Sequence, residues 1–377
     1  MNKKIIYADH AATTPLSSAA REAMRPYMEH DYGNPSALYS LARQSRRAVQ
    51  RARQLISEVI NVKPEELFFT SGGSEADNWA LLGTMLHPEQ TKKHIIISAI
   101  EHHAILNTCA YLQRIGVSVT LLQPEEKGII TAESLQNAMT DETALVSVML
   151  ANNEIGTIEP IKELADVAHS KGALFHTDAV QAVGHIPIDV EQLGVDMLSA
   201  SAHKFNGPKG VGFLYVRRGT VIEPLIHGGM QEYGYRAGTE NVAGIVGMAA
   251  ALHEHAESLN EEIAYLNTLQ ERLVRALNEA NVDFVVNGDP YRIPGSLSLS
   301  FRNVEGEMLL HRLDLQGIMV ATGSACDSKN PVVSHVIQAI GLASEYAEGT
   351  IRITLGMDND DDQVDQIVNS IVSIVNP

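Results

Sequence analysis

Short apolar runs alternate with amphipathic stretches through most of this chain, and that alternation restricts its fold more than any other feature. Residues 67–70, 94–99, 144–150, 173–177 and 196–200 are apolar runs of strand length. Between them lie helical patterns such as residues 36–60, where Leu38, Leu41, Ala42, Ser45, Ala48, Val49, Ala52, Leu55 and Ile56 mark one face at helical spacing. Strand–helix–strand units bring their strands together in parallel, so the expected class is α/β with a mainly parallel sheet. Ligands of such a sheet gather at the carboxyl ends of its strands. From about Ala251 the texture changes: a long helical stretch, 252–279, precedes shorter strands at 284–286, 296–301 and 351–354. A second, smaller unit is therefore expected. No repeat or low-complexity tether separates it from the first, which predicts a broad interface between them.

Charge and cysteine content narrow the function classes. Of 377 residues, 28 are Lys or Arg and 46 are Asp or Glu, a formal charge of −18 that repels phosphate backbones and anionic lipid surfaces. Direct nucleic-acid and membrane partners are not expected. Neither a signal-peptide pattern at the start nor an apolar run long enough to span a bilayer is present, which predicts a cytoplasmic protein. The two cysteines, Cys109 and Cys326, have no CxxC spacing, so neither a disulfide framework nor a four-thiolate metal site is available to one chain. His94, His103, His253 and His255 show no HExxH arrangement and read as structural or exposed, with no metal expected.

Three local patterns carry chemistry. Thr70-Ser71-Gly72-Gly73-Ser74-Glu75 sets glycines between a strand and a helix, a place where backbone N–H groups close on an anion and where an ordinary turn also fits. His176-Thr177-Asp178-Ala179-Val180-Gln181 puts Asp178 at a strand end, where a carboxylate can meet a protonated ring nitrogen or cap a helix. Ser201-Ala202-His203-Lys204 puts a lysine directly after an apolar strand and small residues. Desolvation there makes an amine nucleophilic toward an aldehyde, while a surface lysine folded along apolar neighbours is the competing reading. Cys109 lies at helical spacing with Ile105 and Leu112 and reads as core; Cys326 lies in the polar stretch 323–331, a loop that should end where a helix starts near Ser334.

The three patterns occur in the order and spacing of one family. From Tyr7-Ala8-Asp9-His10-Ala11-Ala12-Thr13-Thr14 nearly to the end, the chain resembles the class V aminotransferases of fold type I, and within them the NifS/IscS-like cysteine desulfurases. The likeness runs through Tyr32-Gly33-Asn34-Pro35-Ser36, Glu101-His102-His103, Ala151-Asn152-Asn153-Glu154-Ile155-Gly156 and the three patterns above. It continues through Arg236-Ala237-Gly238-Thr239-Glu240-Asn241, Gly323-Ser324-Ala325-Cys326 and Ile351-Arg352-Ile353-Thr354-Leu355-Gly356.

That resemblance implies a large domain, residues 15–255, with a mainly parallel seven-stranded sheet, and a smaller α+β domain of residues 1–14 and 256–377 that carries the Cys326 loop. It implies pyridoxal 5'-phosphate held as a Schiff base on Lys204. Asp178 would face the pyridine nitrogen, Gln181 the phenolic oxygen and His102 the ring face; Gly73, Ser74, Ser201 and His203 would bind the phosphate. Thr239 would complete the phosphate site of a second subunit, so a homodimer with shared active sites is expected. Asn34, Asn153 and Arg352 would hold the substrate carboxylate, a task suited to the two parallel N–H donors of a guanidinium. The implied reaction converts L-cysteine to L-alanine with Lys204, His102 and Cys326 as catalytic residues. Sulfur would pass as a persulfide on Cys326 to an acceptor protein, an iron–sulfur scaffold or a tRNA-thiolation enzyme. Met230, Asp327 and Met357 depart from the family pattern. A selenocysteine lyase, an aminotransferase and a slow sulfur-relay protein are the alternatives, separable by their products from cysteine, selenocysteine, and alanine with a keto acid.

Overall fold

The computed structural model describes residues 5–323 and 333–376. Strand β1 (Ile6–Tyr7) leaves the amino-terminal segment to pair elsewhere, and the large sheet begins with β2 (Leu67–Thr70). It continues through β3 (His94–Ser98), β4 (Ser118–Leu122), β5 (Thr143–Ser147), β6 (Leu174–Asp178), β7 (Met197–Ser201) and β8 (Gly212–Val216). Hydrogen bonding orders these seven strands β2-β8-β7-β6-β5-β3-β4. All neighbours run parallel except β8, which is antiparallel to both β2 and β7. The fold is thus α/β with a seven-stranded, mainly parallel sheet, as the alternating pattern requires.

Five of these strands coincide with the apolar runs. The run 144–150 overshoots, because the chain leaves the sheet after Ser147. Burial on both faces explains why β3, β5 and β7 read as unbroken apolar stretches. Strand β4 is an edge strand, half exposed along its length, and its pattern carries no such signal. Helices cover both faces. The helix expected over 36–60 spans Ser40–Val59 and buries Ala42, Ser45, Ala48, Val49, Ala52 and Ile56 of the face its spacing marks, while Leu38 precedes the helix and is exposed.

A smaller sheet combines β9 (Phe284–Asn287), β10 (Ser296–Phe301) and, after β11 (Ile318–Met319), β12 (Thr350–Thr354) in the antiparallel order β12-β10-β9. Strand β1 pairs in parallel with β11, which returns the amino terminus to this part of the molecule. One helix, Val242–Glu279, joins the two regions. Its first turns bury Ile245, Met248 and Leu252 in the core of the large sheet, while Leu266, Leu269, Leu273 and Leu277 enter the core of the small one. The helix starts ten residues before the helical stretch expected at 252–279. Asn241 caps it, accepting from Gly244 N–H at 3.1 Å. The acidic run near the end begins the last helix, Asp361–Val375, with Asp360 accepting from Gln363 N–H at 2.8 Å. Among the described helices, none is long and apolar enough to cross a membrane.

Candidate active site

The carboxyl ends of β6 and β7 open on a cavity of about 570 Å³. Asp178 is the last residue of β6 and Ser201 the last of β7, so strand termination itself delivers both side chains to one place. Lys204 follows within a single 3-10 turn, Ala202–Lys204. Gly73, Ser74, His102, Asn153, Asp178, Gln181, Ser201, His203, Lys204 and Arg352 all line this one cavity. They come from segments more than 270 positions apart in the chain.

Ser74, Ser201 and His203 line this cavity together with the start of helix Gly73–Met85. Gly72 has a φ of +150°, which disfavours an L side chain, and a Cβ on Gly73 would stand 2.5 Å from Val180 Cγ2. The glycines let the helix start approach the strand ends closely, leaving its first N–H groups for an anion. His203 Nδ1 meets Thr13 Oγ1 at 3.2 Å, and burial, with Lys204 and Lys209 nearby, holds the imidazole down to about 4. It is therefore neutral at pH 7.

Asp178 is buried, 4% exposed, and accepts from Val180 N–H at 2.9 Å. Burial pushes its carboxyl up, while His102, that N–H and Lys204 pull it down. Such a carboxylate is stabilised by a cation arriving in the cavity. His102 caps helix His103–Arg114, its Nδ1 accepting from Ala104 N–H at 3.1 Å, so the neutral ring carries its proton on Nε2. Burial holds its pKa below the ordinary value, against the pull of Asp178.

Lys204 Nζ donates to the carbonyls of Ala11 and Ala12 at 2.5 and 2.9 Å, and Gln181 Nε2 donates to the same Ala11 carbonyl at 3.0 Å. The amino-terminal strap thus closes over the lysine. Arg352, on β12 and buried, donates from Nη1 to the Asn153 carbonyl at 2.8 Å and pairs through Nη2 with Asp9 at 2.6 Å. Its Nε is buried without a partner, which leaves donor capacity facing the site.

Asn34 and Thr239 are not among the lining residues. Asn34 is exposed and accepts from Ser36 N–H through Oδ1 at 2.9 Å; Thr239 is exposed on the surface. Cys326 lies outside the described residues. Gly323 and Val333, on either side of the stretch that contains it, both line the cavity, and Ser334 caps the next helix, His335–Ala339. Cys109 is 2% exposed with its thiol pushed up to about 12 by burial, the inert core residue its spacing predicts. His94 is buried between Thr143 and Thr120 hydroxyls, and His253 is exposed.

Five polar lining residues escaped the sequence reading: Asp77, Glu154, His335, Gln338 and His103, which read as structural or exposed and lines the cavity. Glu154 accepts from Ser334 Oγ at 2.5 Å, and burial raises its carboxyl to about 7.

Comparison with known proteins agrees with this geometry. The model of the aminotransferase class-V family matches residues 6–367. A Clostridium botulinum protein named cysteine desulfurase IscS is 47% identical over 378 residues, covering all of this chain and 95% of its own. Among solved structures, a NifS-like protein superposes with a TM-score of 0.93 at 37% identity, covering 99% of this chain and all of its own. A structure titled SspA in complex with cysteine superposes with a TM-score of 0.83 at 35% identity, covering 93% of this chain and 99% of its own.

Proposed function

The chain belongs to the class V aminotransferase family, whose members are pyridoxal-phosphate enzymes, and from that premise we propose that it is a cysteine desulfurase using pyridoxal 5'-phosphate. The observation that carries this reading is the convergence of Lys204, Asp178, His102 and the Gly73–Ser74 helix start on one cavity. The residues fit such a group. Hydroxyls and the N–H groups of a helix start suit a phosphate, a buried carboxyl suits a ring nitrogen cation, and an amine lines the same cavity. When bound, pyridoxal phosphate supplies an aldehyde for amine capture and an electron-accepting ring.

In this reading Gly73, Ser74, Ser201 and His203 hold the phosphate, with Thr239 serving the site of a second copy in a homodimer. Asp178 holds the ring nitrogen in its charged form, and Gln181 serves the phenolic oxygen. His102 would face the ring, and the Ala104 N–H fixes it as the Nε2–H tautomer, a donor available to the bound substrate. Arg352 and Asn153 take the substrate carboxylate, with Asn34 as a further partner. The Lys204 amine both tethers the cofactor and moves the proton at the substrate Cα, a role in which general acid–base groups typically contribute ~10²–10⁴-fold.

Sulfur then leaves to Cys326. Its thiolate attacks the substrate sulfur; an S–S bond forms, the Cβ–S bond breaks, and the electron pair left on Cβ takes up a proton, giving alanine and a persulfide. Gly323 and Val333 at the cavity wall support delivery of that thiol. The persulfide awaits a sulfur-acceptor protein, either an iron–sulfur scaffold or a tRNA-thiolation enzyme.

The test uses purified protein loaded with pyridoxal phosphate. With L-cysteine and a thiol reductant it should turn yellow holoprotein through cycles that release sulfide and alanine in equal amounts. Protein that stays colourless, or that forms pyridoxamine phosphate and needs a keto acid, contradicts the reading.

A further inference from the structure

Beneath Asp178 lies a second carboxyl for which the reaction above has no use. Asp77, on the first turns of helix Gly73–Met85, is 1% exposed and lines the cavity, and its Oδ1 has no hydrogen-bond partner. One oxygen of Asp77, one of Asp178 and a ring nitrogen of His102 lie within 4.8 Å of one another. Two carboxylates this close, both closed off from water, cannot both stay ionised without a cation to separate them.

One neighbour of Asp77 favours its charged form, and the stronger influences oppose it. Ser199, on β7, gives it a hydrogen bond, and His176, on β6, stands 3.8 Å away. That imidazole cannot serve as the missing cation. Its nitrogens already meet Ser147 Oγ at 2.8 Å and Ser199 Oγ at 2.9 Å, and burial holds it neutral, down to about 3. Beside the His102 ring nitrogen stand two acidic neighbours: Asp178 and Glu101 both push the Asp77 carboxyl up, adding to burial. His102 stands near both carboxyls, but Asp178 also has a backbone N–H donor, that of Val180 at 2.9 Å, and the pull of Lys204.

We propose that Asp77 is a positioning residue of this site, a second buried carboxyl that keeps its proton so that the single negative charge of the pair rests on Asp178. The inference rests on the cofactor reading above. It assigns the ring nitrogen one charged partner and one neutral reserve. If Asp178 loses its charge, Asp77 is the carboxyl that takes over.

The experiment is a double-mutant cycle read by cofactor affinity, with pyridoxal phosphate titrated against the visible absorbance of wild type, D77N, D178N and D77N/D178N. In the wild-type background D77N should weaken affinity by about fivefold or less, the size of one neutral hydrogen bond. In the D178N background the same change removes the remaining carboxyl of the pair and should cost about tenfold or more. Equal factors in the two backgrounds overturn the proposal, since a merely structural Asp77 gives no such coupling. The infrared difference between wild-type and D77N apoprotein at pH 7 should contain the carbonyl stretch of a protonated carboxylic acid, and carboxylate bands in its place also overturn it. Should D77N not fold, D77S gives the same difference. Wild-type protein that takes up no cofactor contradicts the functional reading, and the infrared band still decides the protonation of Asp77.

Discussion

At residue scale the site depends on side chains that strand ends and one helix start deliver to a common cavity. Lys204 is the most exacting: a Lys204→Ala protein should bind pyridoxal phosphate without the covalent visible band and lose turnover by at least ~10²-fold, measured as sulfide release. Gly73 sets the width of the phosphate end. A Gly73→Val protein must push against Val180 and should bind the cofactor at least ~10-fold more weakly by absorbance titration, because overpacking of this kind costs about 1–3 kcal/mol. A Cys326→Ser protein should keep the cofactor spectrum and lose the persulfide that mass spectrometry would otherwise find. The residues legible in the sequence, Asp178, Ser201 and Lys204, are those that follow an apolar strand directly. Asp77 and Glu154 were not legible, since a buried acidic residue on a helix or in a turn has no linear pattern to separate it from a solvated one.

At the scale of elements, the sheet was readable wherever strands are buried on both faces and unreadable at its margins. Strand β4 lies at an edge, and β8, Gly-Phe-Leu-Tyr-Val, is a short run close to the glycine-rich turns before it. The start of the long helix was hidden for a related reason. Gly244 and Gly247 look like helix breakers, yet a Cβ on Gly247 would lie 2.6 Å from Met24 Cγ, so the glycine lets helix Ser18–Glu29 pack closely. The other end of that long helix depends on its leucines. Leu273 is fully buried in the core of the small sheet, and Leu273→Ala should lower stability by about 2–5 kcal/mol in a denaturant titration without moving the cofactor spectrum.

For the molecule as a whole, buried titratable groups set how stability varies with pH. Glu101 and Glu159 are both pushed up to about 8, mainly by burial. A carboxyl whose folded value exceeds its unfolded one contributes stability that is complete below about pH 4.5 and lost as pH rises toward 8. His176 and His185, held to about 3 and about 4 by burial, act oppositely, losing stability as pH falls below 6.5. Between pH 4.5 and 6.5 the two sets offset each other. Above 6.5 only the carboxyls remain, so the apoprotein should become less stable from pH 6.5 to 8. Glu159→Gln, away from the cavity, should flatten that slope by up to about 1.4 kcal/mol per pH unit in thermal or denaturant unfolding. An unchanged slope would place the charge of Glu159 elsewhere than proposed.

All of the chemistry assigned to this molecule requires that one amine, that of Lys204, hold the cofactor. Borohydride reduction of the yellow holoprotein, followed by peptide mass spectrometry, tests this directly. The account predicts a single stable adduct on the peptide containing Lys204. An adduct on another lysine, or none in protein that has bound the cofactor, would contradict it.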